Sequence, residues 1–103
     1  MIARLWRGVT KKEHGDVYYE YLHETGIKNY LATEGNRGVK VLKRDVDNGT
    51  EFTLISFWDS YESIKKFAGE DINKARYYPE DDKYLIDRGP EMKHFEVLFD
   101  QKQ

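Results

Sequence analysis

Trp58, Arg76, Tyr77 and Tyr78 are the side chains in this 103-residue chain whose types and spacing best suit chemistry. Two large ring systems, phenolic hydroxyls and a guanidinium suit a slot for a planar, oxygen-bearing aromatic molecule. Stacking would supply affinity, and positive charge would hold an enolate or phenolate. Trp6 and Tyr21 complete the candidate binding set. His14, which shares the inward face of an expected helix with Tyr21, is either a hydrogen-bonded histidine at the core edge or a pocket base. With Trp58 and Tyr77 it forms the candidate catalytic group. The competing reading is that these aromatics pack a loop over the core. An open volume beside Trp58 would favour a slot, and one filled by Tyr77, Tyr78 and Tyr84 would favour the structural role.

Other chemistries are unsupported. The chain has no cysteine, so disulfides, thiolate metal ligands and a cysteine nucleophile are excluded. His14 and His23 fall on opposite sides of a helix, and H-x-x-x-H does not occur, so no metal site is expected. The absence of G-x-G-x-x-G, a Walker lysine motif and a G-x-S-x-G elbow argues against nucleotide cofactors and serine hydrolysis. Glu80-Asp81-Asp82 reads as a solvated helix start. With 17 basic and 19 acidic residues the net charge is −2, which shows no nucleic-acid bias. No run approaches the ~20 apolar residues of a membrane helix. Charges interrupt M-I-A-R-L-W-R-G where a signal peptide needs apolar continuity, so the cytoplasm is the expected compartment.

The elements that must position the slot follow from periodicity. Ile2 to Val9 reads as a strand with Ala3, Leu5 and Val9 on one face and Ile2 and Trp6 on the other. Thr10 and Glu13 form a capping box for a helix from about Lys11 to Thr25, with Gly26 as its left-handed C-cap. Its inward face would carry His14, Val17, Tyr18, Tyr21, Leu22 and Thr25. Asn29 to Asn36 reads as a connector with Tyr30 and Leu31 tucked in. Val39 to Val46 and Glu51 to Trp58 are strands joined by the tight hairpin Asp47-Asn48-Gly49. Asp59 or Ser60 caps a helix whose face is Tyr61, Ile64, Phe67 and Ala68, ending at Gly69. A short helical turn is expected from Ile72 to Tyr77, and another carrying Tyr84, Leu85 and Ile86. Gly89-Pro90 then breaks the chain before a last strand, Met92 to Phe99.

The order is β-α-β-β-α-β. The right-handed crossover rule makes this a ferredoxin-like α+β fold, a four-stranded antiparallel sheet with both helices on one face, in a single domain spanning 1–103. Apolar residues of both parities line the strands, so the bare face should meet a second copy of itself. Aromatic residues make up 15% of the chain, eight of them tyrosines, and they suit half-wet pockets and interfaces as well as core edges.

The run from Phe57 to Asp81, F-W-D-S-Y-E-S-I-K-K-F-A-G-E-D-I-N-K-A-R-Y-Y-P-E-D, resembles the antibiotic biosynthesis monooxygenase family. Its hallmark there is a strand ending in aromatic-Trp-(Asp/Glu/Lys)-Ser before an amphipathic helix. M-I-A-R-L-W-R-G and G-N-R-G-V-K-V-L resemble the same subgroup. The resemblance implies a dimeric α/β barrel, two ferredoxin-like units joined sheet to sheet. It also implies a cofactor-independent oxygenase of a small aromatic or phenol-type substrate, using neither metal, flavin nor haem. A second branch of the resemblance degrades haem, with a histidine iron ligand and a first-strand asparagine. Tyr77 and Leu5 stand near those positions here, which counts against that reaction. A third possibility is a non-catalytic, ligand-binding or stress-related dimer.

Overall fold

Three long strands form the middle of the computed structural model, which describes residues 1–89 and 92–101. They are β1 (Ile2–Thr10), β2 (Asn36–Val46) and β3 (Gly49–Trp58). β1 and β3 pair antiparallel from Ile2 opposite Trp58 to Thr10 opposite Thr50. β2 and β3 are joined by the expected hairpin, with Val46 opposite Gly49. Gly49 lies against the Thr10 carbonyl oxygen, where a side chain would collide.

The outer edge of β1 is occupied by two short strands in line, β4 (Leu85–Arg88) and β5 (Lys93–Glu96). Thr10 faces Leu85, and Leu5 faces Lys93. The spatial order β2-β3-β1-β4, with β5 also on β1, is therefore the ferredoxin-like layout with its fourth strand interrupted. The expected single strand from Met92 to Phe99 is both shorter and preceded by another, so Leu85 and Ile86 are strand residues, not helical ones. The Gly89 N–H still donates to the Arg7 carbonyl at 3.2 Å. Proline follows in the sequence and has no N–H to continue the ladder. That part of the expected break lies outside the described residues.

Strand pleating sorts the side chains into two sets. Ile2, Arg4 and Trp6 on β1 sit opposite Trp58, Ser56 and Leu54 on β3 and face the helices. Together with Tyr18, Leu22, Ile27, Tyr30, Ile64 and Phe67 the apolar ones form the core. Ala3, Leu5, Ile55 and Phe57 face the other way, beside Leu42 and Phe95, which are half exposed. Among the described residues no helix covers that side.

The helices depart from the sequence expectation at the first connection. A 3₁₀ turn at Lys12–His14 leads into α1 (Gly15–Glu24), and α2 (Gly26–Ala32) begins after one residue. Thr10 is the end of β1, and its hydroxyl donates to the Lys11 carbonyl at 2.9 Å instead of capping a helix. Gly26 starts α2 and does not take positive φ, so it is no C-cap. The break is made by Thr25, whose hydroxyl donates back to the Tyr21 carbonyl at 2.8 Å and competes with the helical ladder. As a result the expected connector at Asn29 is helical. Tyr30 is buried and Leu31 is exposed, as is Val17.

α3 (Tyr61–Ala68) matches its sequence signals closely. Ser60 accepts from the Ser63 N–H at 3.3 Å, and Gly69 ends the helix at φ 89°. A loop of residues 69–80 follows. It holds a turn at Asp71 but no helix from Ile72 to Tyr77. A four-residue helix, α4 (Asp81–Tyr84), leads into β4.

Candidate functional site

Trp58 is the last residue of β3, and its parity turns it inward, so it lies fully buried in the core and not at a rim. Its indole N–H donates to the Ser56 hydroxyl at 2.9 Å, which satisfies the one polar atom of the ring. The Tyr30 and Phe67 rings lie 6.1 and 5.9 Å from it, centroid to centroid. The volume beside Trp58 is thus filled, and by α2 and α3 rather than by Tyr77, Tyr78 or Tyr84.

What opens nearby is a small cleft of about 20 Å³ beneath the 69–80 loop, walled by Trp6, Tyr30, Phe67, Arg76 and Tyr78, with Tyr18 and Asp81 at its end. Arg76 bridges its roof. One of its Nη atoms donates to the Phe67 carbonyl at 3.0 Å, and its guanidinium lies 5.0 Å from the Phe67 ring centre and 5.1 Å from that of Tyr78. Asn29 donates to the Tyr78 hydroxyl at 2.7 Å. Asp81 anchors the loop's far end, accepting from the Tyr18 hydroxyl at 2.8 Å and from the Tyr78 N–H at 2.7 Å. Burial and the Asp81 charge push the Tyr18 phenol far above its usual range. Burial likewise lifts the Tyr30 phenol to about 12, opposed by the nearby Arg4 charge.

Of the six expected binding residues, the structure brings Trp6, Arg76 and Tyr78 to this cleft. Tyr21 stands at the loop's end, where its hydroxyl accepts from the Glu80 N–H at 3.0 Å. Tyr77 lies outside, 37% exposed, with its hydroxyl donating to the Gly89 carbonyl at 3.4 Å and the Arg88 guanidinium 4.4 Å over its ring. His14 sits at the N-terminus of α1, edge-on to Tyr84 at 5.6 Å. The two residues are thus removed from Trp58, and the expected catalytic trio is not one cluster.

Sequence reasoning missed Arg4 and His94 as a pair. Arg4 is 1% exposed, and among the described residues no carboxylate forms an ion pair with it. One Nη donates weakly to the Ile72 and Lys74 carbonyls at 3.4 and 3.3 Å, while Nε and the other Nη have no partner among the described residues. His94 stands directly opposite on β5, and its Nε2 is also buried without a partner. Burial, reinforced by Arg4, holds the His94 imidazole below its usual value. The alternation of β1 carried the signal, since Arg4 has the same parity as the core residues Ile2 and Trp6. Leu5, by contrast, faces away from the helices.

Among the described residues no cluster of three or more His, Asp or Glu could hold a metal ion, and no helix is long and apolar enough to cross a membrane.

Neither protein-family models nor curated proteins give a match to this chain. Solved structures do. A Bacillus cereus protein provisionally described as an antibiotic biosynthesis monooxygenase is 19% identical, with a TM-score of 0.67 over 100% of this chain and 96% of that one. A Nitrosomonas europaea protein with the same provisional description is 13% identical, TM-score 0.68, over 96% and 100%. The haem-degrader MhuD of Mycobacterium tuberculosis, solved with two haems bound in its active site, is 15% identical, TM-score 0.65, over 99% and 100%. This chain therefore has the fold of antibiotic biosynthesis monooxygenase-type proteins.

Proposed function

We propose that residues 1–103 form one such domain, a cytoplasmic homodimer that binds a small aromatic molecule and oxidises it as a cofactor-independent monooxygenase. The observation that carries this reading is the aromatic and arginine-walled cleft under a cover that has no buried residue. No residue of the 69–80 loop is buried, and it is held by individual bonds: Arg76 to Phe67, Asn29 to the Tyr78 hydroxyl, the Met92 N–H to the Asn73 carbonyl, the Glu80 N–H to Tyr21, Tyr77 to Gly89, the long contacts to Arg4, and the Asp81 anchor. A segment with so little buried surface opens at low free-energy cost. Lifting it would widen the cleft between Trp6, Tyr30 and Phe67. The protein's share of the chemistry is then to bind the ligand, hold its anion and exclude water while the anion gives an electron to dioxygen.

The half-exposed Leu42 and Phe95, with Leu5, Ile55 and Phe57, support the dimer, because a bare apolar sheet face favours a second copy of itself. Leu98 and Phe99, 90% and 80% exposed, extend the apolar surface beyond β5.

Haem does not fit. Tyr77, the residue at the ligand position of the haem-degrading branch, is engaged outside the cleft, and no histidine lines the cleft. A second reading is ligand binding without turnover: the filled volume at Trp58 favours a structural role for that residue and takes it out of the candidate catalytic group.

Oxygen consumption with a panel of anthrone- and quinol-type compounds separates the two. Turnover above the uncatalysed rate, lost in Arg76→Ala, supports the oxygenase. Saturable binding with no oxygen uptake across the panel leaves only the binding function.

A further inference from the structure

Arg4 and His94 belong to neither the fold's apolar core nor the aromatic roof, and both are left with unmet polar atoms. A guanidinium with no anion beside it is costly in a protein interior. Here that cost is borne at a position where neighbouring strands hold a second unpartnered nitrogen. Arg4 and His94 are register partners on adjacent strands, so their side chains stand side by side on the helix-facing surface. Phe67 covers Arg4 with its ring centre 5.7 Å from the guanidinium carbon, and Tyr61 stands 6.1 Å from the His94 ring. The 69–80 loop also lies over Arg4, and its carbonyls at Ile72 and Lys74 accept the long hydrogen bonds from the guanidinium.

We propose that Arg4 and His94 form the receptor for an acidic hydroxyl on the ligand, a phenol or enol, with His94 Nε2 taking its proton and Arg4 holding the oxyanion. The step balances within the pair: the ligand O–H bond breaks, its electron pair stays on oxygen, and the proton forms an N–H bond on Nε2. No oxidant enters at this stage. The loop carbonyls occupy the place of the oxyanion as weak dipolar substitutes, and they leave when the loop lifts. Charge ordering supports the cycle. Arg4 is the charged group facing His94 from β1, with the Tyr61 phenol beside it from α3, and burial and Arg4 both disfavour the protonated imidazole before binding. An oxyanion placed between them reverses the sign of the local field and lets the imidazole hold the proton.

This deepens the oxygenase reading by naming the substrate's acidic oxygen and its base, and its test reads protonation, not turnover. 4-Nitrophenol serves as the probe, because its anion is coloured and it is not consumed. Below neutral pH, bound 4-nitrophenol is expected to appear as the anion, with ionisation about ten-fold more favourable than in water, equivalent to one pKa unit. The imidazole nitrogen signals of His94 should become those of the protonated ring in the same titration. Arg4→Met should fold, since it replaces an uncompensated buried charge by an apolar chain, and should lose the anion preference. Arg4→Lys should restore part of it. Binding of the neutral phenol alone, an unchanged His94 signal on saturation, or an anion preference intact in Arg4→Met would each overturn the assignment. Were His94 to respond while the substrate panel consumed no oxygen, the receptor would stand and the oxygenase would fall.

Discussion

Single side chains in this protein separate by what their polar atoms touch. Trp58 fills the core and places its N–H on Ser56, so Trp58→Phe removes both ring volume and a hydrogen bond. A loss of about 1–3 kcal/mol is expected, read from the denaturant midpoint. Tyr18→Phe leaves the buried Asp81 carboxylate short of a donor at the point where the 69–80 loop is anchored. The cost should be about 1–3 kcal/mol. Tyr77→Phe serves as the contrast, since its hydroxyl makes one long contact at a half-exposed site, and its effect should stay within about 0.5 kcal/mol. Equal effects of the two tyrosine changes would contradict the placement of Asp81 as the loop's anchor.

At the scale of elements, two turns govern where the site's walls stand. Gly35 takes φ 90° and lies against the Ser63 side chain, while its carbonyl accepts from the Asp59 N–H at 2.9 Å. That turn ties the start of β2 and the end of β3 to the beginning of α3. Gly35→Ala adds left-handed strain to a collision, so a cost of about 2 kcal/mol or more is expected. Gly69 also has positive φ, 89°, but its Cβ position is open. Gly69→Ala should therefore cost only the conformational strain, about 1–2 kcal/mol. Thermal unfolding of the two variants gives the comparison, and the larger drop should belong to Gly35→Ala.

For the whole molecule, both the bare sheet face and the response to acid can be measured. Phe57→Asp and Ile55→Asp put charge on the uncovered face, and each should shift sedimentation toward the monomer while leaving the far-ultraviolet signal of the fold in place. Acid should destabilise the protein in two stages of the same sign. His94 is held below its unfolded value of 6.5, so the unfolded chain binds the extra proton first, and its contribution, present above 6.5, is lost as pH falls. Glu51, which accepts from Arg44 and from Arg7 at 2.7 Å each, is held below its unfolded value of 4.5 by those hydrogen bonds. Its contribution is present above 4.5 and lost below it. Denaturant midpoints should decline in both windows, and His94→Gln should remove the first decline alone.

The sequence by itself determined the parity of the strands, the hairpin at Asp47-Asn48-Gly49, the capped helix from Tyr61 and the ferredoxin-like order. These depend on neighbours two to four residues apart, which the chain displays directly. It also carried the likeness to the antibiotic biosynthesis monooxygenases, later matched by the fold of solved structures. It did not show that Thr25 breaks the first helix, because a threonine hydroxyl can equally point to solvent or donate to its own backbone. Nor did it show that the fourth strand is split in two. Tertiary structure alone decided which aromatics meet. Trp58 went into the core because α2 and α3 converge on it, Tyr77 stayed outside, and the distant residues Arg4 and His94 came together. Their pairing depends on the register between the first strand and the last, which no local spacing encodes.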